Sequence, residues 1–300
     1  MIVYEIDEND ISRTRKPIGK VMTPWLFMLP HLIFFLVFVV FPFFYGIVLS
    51  FYKCDLIGTM DFVGFDNYVS IFTTEPFRSD FFKGLAHTAL FTVISVPLVI
   101  LVPLGLAVWL YAIKNEKVRG VFQAILYATT VLSVSTVVFI WKYMLDRDNG
   151  IVNLFFQIDT NWHKQPYAWI AIFVLTLWAG VGGNMIIFLS SIASIPKSQY
   201  EVASIDGISK WRQFTRLTLP ALKFPLVYSF ITGTIGAFNV FGQPYLFVAT
   251  KGTYETVIME IKDYAFEQQM AGIASAMSVL LGLIIVFVSF IQFKVTKAEE

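Results

Sequence analysis

Charge is scarce in this sequence. Only 14% of its 300 residues are Asp, Glu, Lys or Arg, against about a quarter in soluble domains. With 57% hydrophobic residues and 31 phenylalanines, the composition is that of an integral membrane protein. The one cysteine, Cys54, excludes a disulfide within the chain. A net charge of +1 gives no footprint for nucleic acid. No G-x-x-x-x-G-K-[ST] occurs, so no phosphate loop holds ATP in this chain. No Cys/His constellation with metal-ligand spacing occurs either. The expected cofactor and metal lists for the chain are therefore empty.

What is abundant is long apolar sequence. Six stretches lack every Asp, Glu, Lys and Arg: 25–51, 88–113, 120–141, 167–195, 224–250 and 268–293. Each is long enough to cross a bilayer as a helix, which takes roughly 20 residues. They do not alternate as barrel strands do. The expected fold is an all-α integral membrane protein with six transmembrane helices. The first stretch is too long for the apolar part of a signal peptide, and no small-residue cleavage site follows it.

Intramembrane chemistry is also nearly absent. His31 is the only ionisable side chain inside these stretches. A proton relay or an intramembrane hydrolase needs several such groups in reach of one another. One histidine beside Pro30 reads as structural. A sodium-driven carrier of a neutral solute stays open, because carbonyls at broken helices coordinate ions.

Lys and Arg set the orientation. Fourteen fall on the side of the two termini and eight on the other. Both termini are expected in the cytoplasm. The chain divides into a cytoplasmic tail (1–23), a first transmembrane helix (24–52), an extracytoplasmic connection with short surface helices (53–87), a five-helix core (88–296) and a cytoplasmic end (297–300). Phe81, Phe82 and Leu85 recur at helical spacing within that connection, as an interfacial helix would have them.

Several spans are interrupted. The second carries Pro97 and Pro103. Prolines free backbone carbonyls, which then need other partners. The fourth carries Gly180, Gly182, Gly183 and Asn184; the fifth carries Gly233, Gly236, Asn239, Gly242, Gln243 and Pro244. Glycines allow close helix packing. The amides are costly in lipid unless paired. They either bond between helices or face a polar cavity. Trp178 and Phe241 nearby would suit the second role for a neutral, hydroxyl-rich ligand.

Between the fourth and fifth spans lies a polar stretch, 197–220, on the cytoplasmic side. Ser198 and Glu201 have capping-box spacing. Gly207 can end the first helix in the left-handed conformation. Ser209 can cap a second helix, on which Trp211, Phe214 and Leu217 recur every three residues. Pro220 then re-aims the chain into the fifth span. Two readings stand: a helix pair lying on the membrane, or a docking element received in a partner's groove.

Glu201, Ala203, Gly207, Leu217, Leu219 and Pro220 form E-x-A-x3-G-x9-L-x-L-P. This pattern resembles the EAA motif of permease subunits of binding-protein-dependent ABC importers. Val202 and Leu217 stand where that family usually has Ala and Ile. Phe62-Val63-Gly64-Phe65-Asp66-Asn67-Tyr68 is similar to the F-V-G-L-x-N-Y signature of the sugar-importing, maltose-permease-like branch, as is Ile195-Pro196 with Tyr200-Glu201. The branch's G-G-P is replaced by Lys251-Gly252-Thr253.

The resemblance implies a type I importer permease in a bacterial or archaeal inner membrane. It implies a second homologous permease subunit, two ATPase subunits that use ATP and Mg, an extracytoplasmic solute-binding protein and membrane lipid as partners. Stretch 197–220 would be the coupling helix region, with Glu201, Ala203, Asp206, Gly207, Trp211, Leu219 and Pro220 at or near the ATPase. Trp178, Gly180, Gly183, Asn184, Gly233, Ala237, Asn239 and Gln243 would fall along the substrate pathway. The chain itself would not be an enzyme.

Overall fold

The computed structural model describes residues 18–55, 58, 60–248 and 254–297, with side chains from 25 to 296. The rest of the tail, the Lys251-Gly252-Thr253 departure and residues 298–300 lie outside the described residues. Among the described residues, four helices are long and apolar enough to cross a membrane: Trp25–Leu49, Phe77–Ala112, Tyr167–Ala193 and Ala271–Thr296. Two bent pairs bring the possible number of spans to six.

The first span is α1 (Ile18–Phe35), a π-helical turn (Leu36–Val40) and α2 (Phe41–Leu49). It begins inside what reads in sequence as a polar tail. The backbone at the start of a helix needs partners, and extra turns supply them. The irregularity is not at Pro30 but ahead of Pro42, where the Phe41 N–H bonds Leu36 O instead of the usual i−4 carbonyl. The wider turn accommodates a proline that cannot donate. His31 is exposed on α1, its ring 6.4 Å from that of Phe35.

Two short strands, β1 (Tyr52–Cys54) and β2 (Met60–Phe62), then pair antiparallel, so the outer connection is not purely helical. The F-V-G-F-D-N-Y stretch has a structural task here. Gly64 takes φ +57 and turns the chain into α3 (Asp66–Thr73). Asn67 is buried and donates to Ser50 O and Tyr52 O at 2.8 and 2.9 Å. Tyr68 Oη lies 2.6 Å from Ser50 Oγ. The signature thus ties the C-terminal end of the first span.

The short helix expected around Phe81 does not exist separately. It is the first turns of α4 (Phe77–Ala112), which runs on through the second span. Phe81 is buried, and Gly84 brings the helix against the backbone of Val257. Packing claims Phe81 and part of Leu85, while Phe82 stays 44% exposed.

The third apolar stretch is not a straight span. α5 (Glu116–Ala128) continues as a 3-10 turn (Thr129–Val131), and the chain bends by 104° into α6 (Val134–Met144). Thr129 and Thr130 bond back to Leu126 O and Tyr127 O, and Ser133 Oγ accepts the Thr136 N–H to start α6. Clustered hydroxyls offer local partners that compete with the helix ladder.

Next, α7 (Ile151–Phe156) is braced by the Arg147–Asp159 pair. Asn153 within it accepts from Trp162 at 2.7 Å. α8 (Tyr167–Ala193) covers the fourth apolar stretch. α9 (Lys197–Ile205), α10 (Lys210–Gln213), a π turn (Phe214–Thr218) and α11 (Leu219–Ala221) follow. α12 (Lys223–Phe238) and α13 (Gly242–Phe247) are separated by a break at 239–241. α14 (Val257–Lys262) and α15 (Ala271–Lys297) end the described chain.

α4 and α8 run side by side through the centre. Phe91 stacks on Phe173 (5.4 Å) in one half, and Leu110 packs with Phe188 and Ile192 in the other. Met277 and Ala276 of α15 join Phe81 and Tyr264 in a further cluster. Burial of such large side chains contributes about 1.5–3 kcal/mol each in water. In lipid the contribution comes mainly from close packing.

Candidate functional site

Two regions combine polar chemistry with unusual backbone: the turn from α9 to α12, and the middle of α4, α8 and α12.

The turn is built by local rules. The helix begins at Lys197, with Pro196 at its cap, and Pro196 O accepts the Gln199 N–H. The capping box of Ser198 and Glu201 therefore does not form: Ser198 already lies inside the first turn, and Glu201 is exposed. Gly207 takes φ +71. The Ile208 N–H bonds Ala203 O at 2.9 Å, closing α9 in a Schellman-type end. Ser209 Oγ accepts the Arg212 N–H and caps α10. Leu219 N bonds Phe214 O across a π turn ahead of Pro220, as at Pro42. The α10–α11 arm then meets α12 at 67°.

The periodic stripe is broken by that π turn. Trp211 stands 71% exposed with its ring 5.7 Å from Phe214, which is half-buried. The residue that locks the turn is Gln213, missed in the sequence because an amide between basic residues reads as surface. It is buried and donates to Ile208 O (2.9 Å) and Ser204 Oγ (3.1 Å). Tyr200 Oη and Thr218 Oγ1, 2.8 Å apart, tie the two arms. Ala203 is buried beneath, while Val202 and Ile205 stand 57% and 84% exposed. Asp206 is also exposed. The turn thus leaves Val202, Ile205 and Trp211 exposed on a hydrogen-bonded frame. Gln213→Ala should loosen that frame by about 1–3 kcal/mol, seen as faster amide exchange in 203–213 with the spans unchanged.

In the intramembrane region Asn184 bonds between helices. Pro103 has no N–H to give to Val99 O four residues earlier. Asn184 Nδ2 of α8 takes that carbonyl at 3.0 Å, and Ser229 Oγ of α12 donates to Asn184 Oδ1 at 3.4 Å. Asn184 is interhelical glue. A Cβ on Gly233 would touch Val99 at 3.6 Å, so Gly233 belongs to the same junction. Asn184→Leu should lower the thermal stability of the detergent-solubilised protein by about 1 kcal/mol.

Trp178 packs edge-on against Trp141 at 6.0 Å, and Ala237 is buried in the same core cluster. Asn239 donates to Ile235 O at the end of α12 and is exposed, and Gln243 is half-buried on α13. A Cβ at Gly180, Gly183 or Gly236 would meet nothing within 4 Å, whereas one at Gly182 would lie 2.6 Å from Leu126 O. Only Gly182 of the α8 glycines packs a helix. The others lie open on the chain's surface.

Residues 67–298 match the family described as binding-protein-dependent transport system inner membrane component. The chain belongs to this family. It is a transport permease rather than an enzyme. The permease is 29% identical to the lactose transport system permease protein LacF of Rhizobium radiobacter, over 92% of this chain and 94% of the relative. It is 28% identical to the arabinooligosaccharides transport system permease protein AraP of Bacillus subtilis (strain 168), over 93% and 90%. It is 30% identical to the probable ABC transporter permease protein YesP of the same organism, over 90% and 89%. A chain of a bacterial ABC transporter involved in the import of the acidic polysaccharide alginate superposes with a TM-score of 0.81 at 20% identity, over 94% of the permease and 97% of that chain. At that identity the likeness shows a shared fold. The EAA-type stretch lies within the family match, whereas the first span precedes it and the F-V-G-F-D-N-Y stretch overlaps only its start.

Proposed function

We propose that this permease is one half of the translocation pathway of a carbohydrate ABC importer, with six spans, both termini in the cytoplasm, and 197–220 as its coupling region. The observation that carries the reading is the turn itself. Gly207 at φ +71 and the buried Gln213 hold Val202, Ile205 and Trp211 exposed on a fixed frame. Apolar side chains on a rigid, polar-rimmed turn are what a partner's groove receives. Glu201, Asp206 and Gly207 rim the same turn, and Leu219 and Pro220 set its angle to the fifth span.

The partners follow. Two ATPase subunits would use ATP and Mg and close on the turns of two permeases. An extracytoplasmic binding protein would deliver the solute. A second, homologous permease would complete the pathway: none of Trp25–Leu49 is buried within this chain, and Gly180, Gly183 and Gly236 stand open. Lipid and that second permease would share the exposed faces. Asn239 and Gln243, rather than Asn184, are the amides left to meet solute. Two relatives carry lactose or arabinooligosaccharides in their names, and no Lys or Arg lies inside the six apolar stretches. Both favour a neutral oligosaccharide.

Reconstitution tests this. Liposomes with the permease, its homologous partner, the ATPases and the binding protein should take up an oligosaccharide only with ATP. The permease alone should take up none. ATP-independent, sodium-dependent uptake by the permease alone would instead establish a secondary carrier.

A further inference from the structure

Beside the coupling turn, a cleft of about 580 Å³ opens between the inner ends of α4 and α8 and the α9–α10 turn. Its walls are of two kinds. Ile192 and Phe214 give it a mainly apolar floor, continuous with the spans. Lys114, Lys197 and Lys210 line its mouth, against the single carboxylate Glu201. Lys210 bonds Gln213 Oε1 at 3.3 Å. Among the described residues, neither Lys114 nor Lys197 forms an ion pair.

We infer that this cleft is a site for an anionic phospholipid, its acyl chain on the apolar floor and its phosphate among Lys114, Lys197 and Lys210. An apolar floor beneath unpaired ammonium groups matches an amphiphile with an anionic head. A free phosphate would leave the floor empty. The groups line the ends of two spans, at the depth where headgroups lie, and a basic residue near an anionic leaflet gains from it. Val202 and Trp211, which face outward from the turn, do not line the cleft. Of the side chains placed at the ATPase contact only Glu201 also lines the cleft, so docking through Val202, Ile205 and Trp211 leaves the cleft's other walls free for an occupant. Tyr200 ties the cleft wall to Thr218 in the turn, so an occupant would brace the coupling frame from the membrane side. The lipid site goes beyond the transport reading and does not depend on the identity of the sugar.

The test uses the complete importer in nanodiscs of phosphatidylcholine. A trace of phosphatidylglycerol with a photoactivatable acyl chain is added, and adducts are mapped by peptide mass spectrometry. Adducts should concentrate on the inner end of α4 and on 210–218. They should fall about tenfold in the Lys114→Gln/Lys197→Gln double variant. The Lys114→Arg/Lys197→Arg variant should keep them, which separates charge from misfolding. Photoactivatable phosphatidylcholine should show no enrichment there. Equal labelling by both lipids, labelling indifferent to the Gln substitutions, or an ATPase peptide filling the cleft would each overturn the site.

Discussion

Replacing Ile205 by Asp should detach the permease from its ATPase while leaving the chain folded. Ile205 is 84% exposed, so the substitution costs the isolated permease no more than about 0.5 kcal/mol. In the assembled importer the same side chain would sit in the partner's groove. An unpaired carboxylate buried there costs about 3 kcal/mol or more, which is over roughly a hundredfold in affinity. Expression, membrane insertion and thermal stability should match the parent. Co-purification of the ATPase and ATP-driven uptake should both fail. Gly207→Val would give a weaker version by another route, since a branched side chain at φ +71 strains the turn by about 1–2 kcal/mol.

Gly182→Ala should have the opposite profile. Its Cβ would lie 2.6 Å from Leu126 O and 2.7 Å from Tyr127 Cα. Both are backbone atoms, so α8 and α5 must move apart. Overpacking of this kind costs about 1–3 kcal/mol, and the permease should lose thermal stability in detergent before any question of coupling arises. Gly180→Ala, two residues away, meets nothing within 4 Å. Its stability should stay within about 0.5 kcal/mol of the parent. Any loss of uptake in Gly180→Ala would then report on the second permease or the solute. Equal destabilisation by both substitutions would contradict the packing described here.

How much of this was legible in the sequence depends on the kind of signal. Apolar run length located the spans because a bilayer demands it. It did not show the 104° bend between α5 and α6, since Thr129, Thr130 and Ser133 act through local hydrogen bonds that leave the run apolar. Gly207 and Ser209 were readable because each acts on its own backbone. The Ser198–Glu201 box failed because Pro196 starts the helix one residue before Ser198. Asn184 and Pro103 were both visible, but their link was not. One frees a carbonyl and the other fills it, on helices 85 positions apart at Val99 and Asn184. Gln213 was invisible for the same reason: only the fold shows that its amide faces inward. The glycines of α8 divide into one packing contact and an open face, a distinction that rests on neighbours and not on composition.

The most direct test of the coupling assignment places a photoactivatable benzoylphenylalanine at Ile205 in the complete importer, in native membranes. A control goes at Tyr143, 79% exposed at the far end of α6. Irradiation should give one adduct from position 205, to the ATPase subunit, with a yield that changes when ATP is added, and no such adduct from position 143. Lipid adducts alone at position 205, with no ATPase adduct in any nucleotide state, would contradict the account and leave 197–220 as a helix pair lying on the membrane.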